Sequence, residues 1–286
     1  MTERFKVACV QMNSAREIAP NLEAVRPLVR QVREAGADLI ALPENVAMLE
    51  PSGRLIREKA EPEDNHPALA VFKDLARETG AWILVGSLAV RLESGAVANR
   101  SLLIDAGGAV VARYDKIHMF DVDLEGGESY RESEMFRPGA QAVVARTPWG
   151  GLGMSICYDL RFPHLYRALA QAGAFMLAVP SAFTQVTGRA HWHALLRARA
   201  IENGCFVIAP AQCGSHAEGR KTYGHSLVVD PWGHVLADGG DGVGGLVAEV
   251  DPGRAAEVRR MIPSLTHDRD FSPAAGTPSD LAADGG

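Results

Sequence analysis

The stretch Leu152–Pro180, LGMSICYDLRFPHLYRALAQAGAFMLAVP, decides the predicted fold class. It begins with the short apolar run LGMSIC, continues with the helical pattern HLYRALAQAG, and ends with the apolar run AFMLAVP. Runs of this length that alternate with helical patterns are typical of α/β proteins. The same alternation occurs before and after this stretch. We therefore predict an α/β protein with mixed sheets that helices cover.

Further elements follow in both directions from this stretch. Upstream, FKVACVQM, DLIALPE and AWILVGSLAV predict strands, and two helices are predicted to end at Gly36 and Gly80, with Asn21 as the N-cap of the first. The runs NRSLLID and AVVARYDKI predict a strand pair, and a longer loop runs from Phe120 to Pro138. Downstream, a helix is predicted from AHWHALLRARAIENG. The strands HSLVVD and LVAEV are predicted to bracket the turn DPWG.

The chain has 286 residues, a length that suits one large domain or two small ones. None of its loops has the composition of a linker, so we expect one domain over residues 1–271. The final stretch, SPAAGTPSDLAADGG over residues 272–286, is small and polar, and we expect it to be disordered.

Composition excludes several classes of function. The net charge is −6 and the basic residues are scattered, which argues against nucleic acid as a partner. No apolar run approaches the ~20 residues of a membrane helix, and the N-terminus shows no secretory signal. The four cysteines show no paired spacing, which fits a reducing compartment, and we expect a cytoplasmic protein. Cys9 and Cys205 lie inside apolar runs and are interpreted as buried hydrophobic residues.

Cys157 is the first candidate for chemistry. It closes the apolar run LGMSIC, and a helical pattern follows, so its side chain is held at a bend in positive potential that lowers the pKa of a thiol. The N–H of Tyr158 would then face an oxyanion formed by attack of the sulfur. Taken alone, Cys157 fits equally well as a small buried residue at a strand end.

Two other polar residues also end buried-type strands. Glu44 follows DLIALP and Lys116 follows AVVARYD; alone, the first is an ordinary loop carboxylate and the second a lysine that reaches the surface. Together with Cys157 they form a set that can hydrolyse an unactivated C–N bond, because strand ends on one edge of a sheet converge. The carboxylate carries the proton and the ammonium faces the oxyanion. A base of near-neutral pKa is expected, with Glu128 as the second acid that raises the pKa of Glu44.

The nine histidines give no comparable arrangement. His191 and His193, in AHWH, point about 200° apart on a helix and are poorly placed to share a metal ion. A metal site is therefore not predicted from this motif.

The three segments LPEN, YDKIHMFDVD and ICYDLRFP resemble the Glu–Lys–Cys segments of the nitrilase superfamily of carbon–nitrogen hydrolases, in the same order and separated by 72 and 41 residues. The resemblance extends from Phe5 to about Phe271. It implies a four-layer α-β-β-α sandwich, association into a homodimer or higher homo-oligomer, and catalysis without metal or organic cofactor. It also implies Cys157 as acylated nucleophile, Glu44 as general base and acid, Lys116 as oxyanion partner, and Glu128 as supporting glutamate.

The segments PSAFTQVTGRAHWHALLRARAIENGCFVIAPAQCGSH and YGHSLVVDPWG are similar to the superfamily branch that contains deaminated glutathione amidase. This resemblance implies a small carboxylated amide as substrate, with Arg161 on its carboxylate and Phe183 and Thr187 in the pocket wall. His193 departs from the glutamate that many members of this branch carry, and the role of Cys213 stays open. The alternatives are an ω-amidase-like enzyme for 2-oxo acid amides, a broad aliphatic or N-carbamoyl amidase, a nitrilase, or an inert scaffold with this fold.

Overall fold

Two six-stranded sheets lie at the centre of the computed structural model, which describes residues 3–124 and 127–272. The strands are β1 (Phe5–Gln11), β2 (Leu39–Ala41), β3 (Trp82–Arg91), β4 (Val97–Ile104), β5 (Val110–Asp115), β6 (Asp121–Asp123), β7 (Ser129–Arg131), β8 (Val143–Thr147), β9 (Gly150–Met154), β10 (Ala174–Ala178), β11 (Phe206–Ala209), β12 (Cys213–Ser215), β13 (Lys221–Tyr223), β14 (Leu227–Val229), β15 (Val235–Asp238) and β16 (Gly244–Val250). The helices are α1 (Ile18–Glu34), α2 (Gly53–Lys59), α3 (Pro67–Thr79), α4 (Pro163–Gln171), α5 (Gln185–Asn203) and α6 (Pro252–Met261). Residues 273–286 of the predicted disordered tail lie outside the described residues.

The two sheets are built alike. The first has the order β16-β1-β2-β3-β4-β5 and the second the order β15-β14-β11-β10-β9-β8. Neighbouring strands β1, β2 and β3 run parallel, as do β9, β10 and β11, and antiparallel strands flank both parallel sets. Because a parallel pair needs a crossover, helices follow β1, β2, β9 and β10 in the sequence and cover the sheets.

Alternation along β1 shows how the layers form. Val7 and Cys9 face the core between the two sheets, whereas Ala8 and Val10 face the core under helices α1 and α3. Both faces of the strand are therefore buried, which explains why FKVACVQM reads as a nearly continuous apolar run. On the far side, α4 and α5 cover the second sheet. The predicted four-layer α-β-β-α sandwich is confirmed.

Asn21 is not the N-cap of α1, as the sequence predicted. The cap position is Glu17, and Asn21 is buried in the first turn. Its amide accepts the N–H of Ala15 at 2.7 Å and donates to the carbonyl of Ala47 at 2.8 Å. The side chain thus satisfies backbone groups of two loops rather than those of its own helix.

The turn DPWG also connects different strands from those expected. It joins β14 to β15, and the run LVAEV belongs to β16, which pairs with β1 in the other sheet. A polar, glycine-rich stretch lies between β15 and β16 and carries the chain across. Among the described residues, no helix combines the length and apolar character that spanning a membrane requires.

Candidate active site

The predicted nucleophile, carboxylate and ammonium meet in one cavity between the ends of the strands. Glu44 follows β2, Cys157 follows β9, and Lys116 comes directly after β5. All three side chains line the same cavity and are almost fully buried. The sheets therefore deliver three residues far apart in sequence to one point.

Glu44 is held on a tight turn. Asn45, next in the chain, has a φ of 56°, a left-handed conformation that asparagine tolerates better than most residues. The strand before Glu44 passes very close to β3, where a Cβ at Gly86 would lie 2.0 Å from the carbonyl oxygen of Leu42 and 2.4 Å from the carbonyl of Pro43. Only glycine permits this approach. The carboxylate is then fixed by the N–H of Ala182, 2.8 Å from Oε2.

Lys116 lies between two carboxylates. Its Nζ is 3.0 Å from Oε1 of Glu44 and 2.8 Å from both oxygens of Glu132. Asn99 donates from Nδ2 to both glutamates, at 3.0 Å to Glu44 and 3.2 Å to Glu132. A buried ammonium with this many partners has a fixed position and a fixed charge.

The supporting glutamate is Glu132, and the prediction of Glu128 is wrong. Glu128 lies just before β7 and is exposed, and its carboxylate accepts the hydroxyl of Tyr130 at 2.9 Å. Glu132 begins a short 3₁₀ turn after β7, which directs its side chain inward, and it also accepts the N–H of Phe120 at 2.7 Å. The loop has no periodicity that distinguishes an inward acid from an outward one.

Cys157 occupies a strained position. Its φ of 49° is unusual for a residue with a side chain, and its N–H donates to the carbonyl of Pro180 at 3.0 Å. The turn that follows is a 3₁₀ helix of five residues, Cys157–Arg161, and α4 starts only at Pro163. A full helix N-terminus therefore does not follow the sulfur, contrary to the expectation from the sequence.

A buried carboxylate holds this turn in place. Asp159 accepts the N–H of Ile156 at 2.8 Å, the hydroxyl of Tyr114 at 2.6 Å, and both the N–H and Nδ1 of His118 at 3.0 and 2.7 Å. These contacts join the segment from the end of β5 to His118, which contains Lys116, to the turn that carries the sulfur.

The pKa shifts give the protonation state of the site. Burial, reinforced by the charge of Glu44, raises the pKa of the Cys157 thiol despite the opposing charge of Lys116. Burial alone would raise the pKa of Glu44, but the charge and hydrogen bond of Lys116 outweigh it and lower that pKa. Burial would lower the pKa of Lys116, but the charges of Glu132 and Glu44 raise it. The resting site thus holds a thiol, a carboxylate and an ammonium, and the expected low thiol pKa and near-neutral glutamate pKa are both wrong.

The cavity around the three groups is narrow, about 60 Å³. Phe183 and Thr187 line it, as the resemblance implied, and so does Tyr158, whose N–H was expected to face the oxyanion. Arg161 does not line it; its guanidinium carbon lies 5.9 Å from the Tyr158 ring centroid and 5.3 Å from that of Phe183, and Nη2 is 3.3 Å from Nδ1 of His191. Arg161 therefore borders the cavity behind two of its wall residues.

Sequence reasoning missed Arg220, a cation in the cavity wall. Its Nη2 donates to the carbonyl of Ala182 at 3.0 Å, its guanidinium carbon lies 5.6 Å from the Tyr130 ring centroid, and its buried Nε has no hydrogen-bond partner among the described residues. The only sequence signal for Arg220 is its positive charge in the loop before YGHS, which by itself does not predict a position in the cavity. Cys213 is buried in β12 and does not line the cavity.

The proteins that are similar to this chain are carbon–nitrogen hydrolases, in agreement with the Glu44, Lys116 and Cys157 arrangement of the cavity. The carbon–nitrogen hydrolase family model matches residues 6–260. The chain is similar to the deaminated glutathione amidase of Yersinia enterocolitica, at 42% identity over 92% of both chains. Saccharomyces cerevisiae Nit3, a member of branch 10 of the nitrilase superfamily, has a similar structure, with a TM-score of 0.85 at 30% identity, over 94% of this chain and 97% of that chain.

A mutant of the amidase from Nesterenkonia sp. AN1 also has a similar structure, with a TM-score of 0.76 at 28% identity, over 90% of this chain and 94% of that one. That protein shows covalent addition of the acetamide moiety of fluoroacetamide at its active-site cysteine. The chain described here belongs to the carbon–nitrogen hydrolase family. It is an amidohydrolase that cleaves C–N bonds through a cysteine.

Proposed function

We propose that this chain hydrolyses deaminated glutathione, with Cys157 as nucleophile, Glu44 as proton carrier and Lys116 as oxyanion partner. The observation that carries the proposal is the buried contact of Lys116 with Glu44, at 3.0 Å, in the cavity that also holds the thiol. The similarity to deaminated glutathione amidases supports the choice of substrate.

The reaction starts from the thiol. As the sulfur of Cys157 attacks the amide carbon, its proton passes to the Glu44 carboxylate, which lines the same cavity. The negative charge moves to the carbonyl oxygen, which faces the Lys116 ammonium and the N–H of Tyr158. Glu44 then protonates the departing nitrogen, and a thioester remains on the sulfur. Water, deprotonated by Glu44, attacks the thioester carbon; the C–S bond breaks, the acid is released, and Glu44 returns the proton to the sulfur.

Two connected spaces suit a substrate with a compact acyl part and a longer amine part. The narrow cavity adjoins a wider cleft of about 660 Å³, and Glu50, Tyr130, Met135 and Arg220 line both. The acyl part of deaminated glutathione is a five-carbon keto acid, and its amine part is a dipeptide. The inner cavity would enclose the keto acid and the outer cleft the dipeptide.

Arg220 lies where the two spaces meet. Its buried Nε–H has no partner among the described residues, and an unsatisfied buried donor costs about 1–3 kcal/mol. A carboxylate or carbonyl oxygen of the substrate would satisfy it. Arg161, behind Tyr158 and Phe183, adds a second positive charge near the inner cavity without lining it. Two positive charges fit a substrate that carries a carboxylate on each part.

Steady-state kinetics with deaminated glutathione and 2-oxoglutaramate test the proposal. Both release the same keto acid, but only the first has a dipeptide amine part that would fill the outer cleft. We expect a higher kcat/KM for deaminated glutathione, with cysteinylglycine detected by mass spectrometry. C157A, which keeps the size of the site, should be inactive with both substrates.

A marked preference for 2-oxoglutaramate would refute the choice of substrate and favour the ω-amidase-like alternative. R57Q sharpens this test, because Arg57 lines the outer cleft and no carboxylate of the described residues lies within 4 Å of it. The variant should raise KM for deaminated glutathione only. R54Q is the matched control, since Arg54 already pairs with Glu58 at 2.6 Å.

The domain organisation, assembly and location belong to the same proposal. A core shared by both sheets supports one domain over residues 1–271, and limited proteolysis would test it. Exposed apolar side chains on α5 and around the β14–β15 turn support a homodimer or higher homo-oligomer, which analytical ultracentrifugation would test; they are Val186, Ile201, Trp232, Val235 and Leu236. Four free cysteines support a reducing, cytoplasmic compartment, which cell fractionation would test.

A further inference from the structure

A second group of chemically active side chains lies on the surface, away from the triad. His193 on α5, His225 after β13 and Asp238 at the end of β15 each direct one ligand atom to a common point, and these atoms all lie within 4.8 Å of one another. Nε2 of His193 is 3.1 Å from Oδ2 of Asp238, and Nδ1 of His225 is 2.9 Å from Oδ1. The mechanism proposed above uses none of these residues.

We propose that His193, His225 and Asp238 bind a divalent transition-metal ion such as Zn²⁺. In a tetrahedral zinc site, bonds of about 2.0–2.1 Å place neighbouring ligand atoms about 3.3 Å apart. The contacts of the two imidazoles with Asp238, at 3.1 and 2.9 Å, are close to this spacing, and the ligand atoms that lie up to 4.8 Å apart would move together as the ion binds. Two imidazoles and one carboxylate suit Zn²⁺, Co²⁺ or Ni²⁺, whereas Mg²⁺ and Ca²⁺ prefer oxygen ligands. Water would complete the coordination, because the three side chains are only partly buried.

The surroundings of His225 fit a metal ligand. If Nδ1 binds the ion, Nε2 carries the proton, and Oδ1 of Asp241 lies 3.3 Å away to accept it. A carboxylate that accepts the second N–H of a ligating imidazole fixes its tautomer and raises its basicity. Without a metal, Asp238 would receive both imidazole N–H groups and the three residues would form only a hydrogen-bonded network.

Hydrogen bonds hold His225 and Asp238 in place before any ion binds. The indole N–H of Trp192 donates to the carbonyl of His225 at 2.7 Å, and the N–H of His225 donates to the carbonyl of Gly240 at 2.7 Å. The N–H of Gly240 donates to Oδ1 of Asp238 at 2.9 Å. Preorganised ligands lose less entropy on binding, so the ion would join α5 to the end of β15.

The sequence could not show this site. The resemblance led us to expect glutamate at His193, and the spacing of His193 from His191 argued against a metal site. The structure agrees that these two histidines diverge, since His191 contacts Arg161. The partners of His193 come from residues more than thirty positions away.

Calorimetric titration of the purified, chelator-treated chain with ZnCl₂ tests the proposal, with MgCl₂ as the control ion. We expect one zinc ion per chain, no saturable magnesium binding, and a higher Tm with zinc. H193Q and D238N should lose both zinc binding and the zinc-dependent increase in Tm. D241N should weaken zinc binding about 10-fold, as is typical when a residue that hydrogen-bonds to a metal ligand is replaced. H234Q is the matched control. His234 pairs with Asp230 at 3.2 Å, as the site histidines pair with Asp238, but among the described residues this pair belongs to no group of three possible ligands.

Cobalt spectra identify the ligands. The proposal expects Co²⁺ absorption that indicates nitrogen and oxygen ligands, without charge transfer from thiolate. The absence of saturable zinc binding, wild-type binding in H193Q, or a thiolate signal would each overturn it. Because the Tm is measured with and without metal in every variant, a general loss of fold is distinguished from loss of the site.

Discussion

Replacing Glu132 with glutamine tests the assignment of the supporting carboxylate. At 2.8 Å and an effective dielectric constant of 20, the Coulomb attraction between Lys116 and Glu132 is about 6 kcal/mol before desolvation. Removing one partner of a buried pair costs about 3–5 kcal/mol, and the lower end applies because Lys116 keeps Glu44. A loss of about 3 kcal/mol corresponds to a decrease in Tm of about 6–12 °C.

Activity should fall for a related reason. Without Glu132, the ammonium interacts with Glu44 alone, which lowers the pKa of Glu44 further and weakens it as a base. We expect kcat to fall at least about 100-fold, with little change in KM, since general acid–base catalysis contributes about 10²–10⁴-fold.

The assay is release of keto acid from 2-oxoglutaramate, a substrate too small to reach the outer cleft that Glu128 borders. Differential scanning calorimetry gives the Tm of the same preparations. E128Q is the matched control and should keep wild-type kcat and Tm, because Glu128 is exposed. Wild-type turnover in E132Q, or an equal loss in E128Q, would refute the assignment of Glu132.

Three other perturbations give clear expectations. The pKa of Glu44 lies below 4.5 and that of the Cys157 thiol above 9.0, so kcat/KM should be flat between these pH values; a titration step within that range in a stopped-assay pH profile would contradict the assigned protonation state. G86A should misplace Glu44 and lower both kcat and Tm, whereas G242A, where no atom lies within 4 Å of an added Cβ, should do neither; equal behaviour of the two in the same assays would contradict the close approach. D159N should lower the free energy of unfolding by about 3 kcal/mol and also reduce kcat, because the buried carboxylate of Asp159 accepts four hydrogen bonds. Urea denaturation gives the free energy of unfolding and steady-state kinetics gives kcat; a wild-type value of either would contradict this role of Asp159.

The strands and the residues at their ends could be predicted because they depend on local chemistry. An apolar run that stops at a proline before Glu44, or at Asp115 before Lys116, shows where a buried strand reaches an edge. Strand ends on one edge of a sheet converge, but β2 and β9 belong to different sheets and β5 pairs antiparallel with β4, so the packing of the two sheets also decides that these residues meet. The structure brings Glu44, Lys116 and Cys157 together as that reasoning expected.

Other features depend on contacts that no local pattern contains. Glu128 and Glu132 are four residues apart in an irregular loop, and only the path of the 3₁₀ turn decides which one faces Lys116. Arg220 reaches the cavity from a loop with no periodicity. The direction of the pKa shift at Cys157 depends on how fully three separate segments exclude water from the sulfur, which sequence cannot measure.

The number of charges in the cavity explains why one glutamate can act as both base and acid. Two carboxylates and one ammonium give the resting cluster a net charge of −1, and transfer of the thiol proton to Glu44 only moves the negative charge to sulfur. The ammonium contacts Glu44 and its charge also acts on the sulfur, so this displacement needs little reorganisation. Glu132 holds Lys116 between the two carboxylates; without Glu132, the ammonium would move toward Glu44 and oppose transfer of the thiol proton to Glu44. The second carboxylate is therefore needed to keep Glu44 basic enough to take the proton in each half of the reaction.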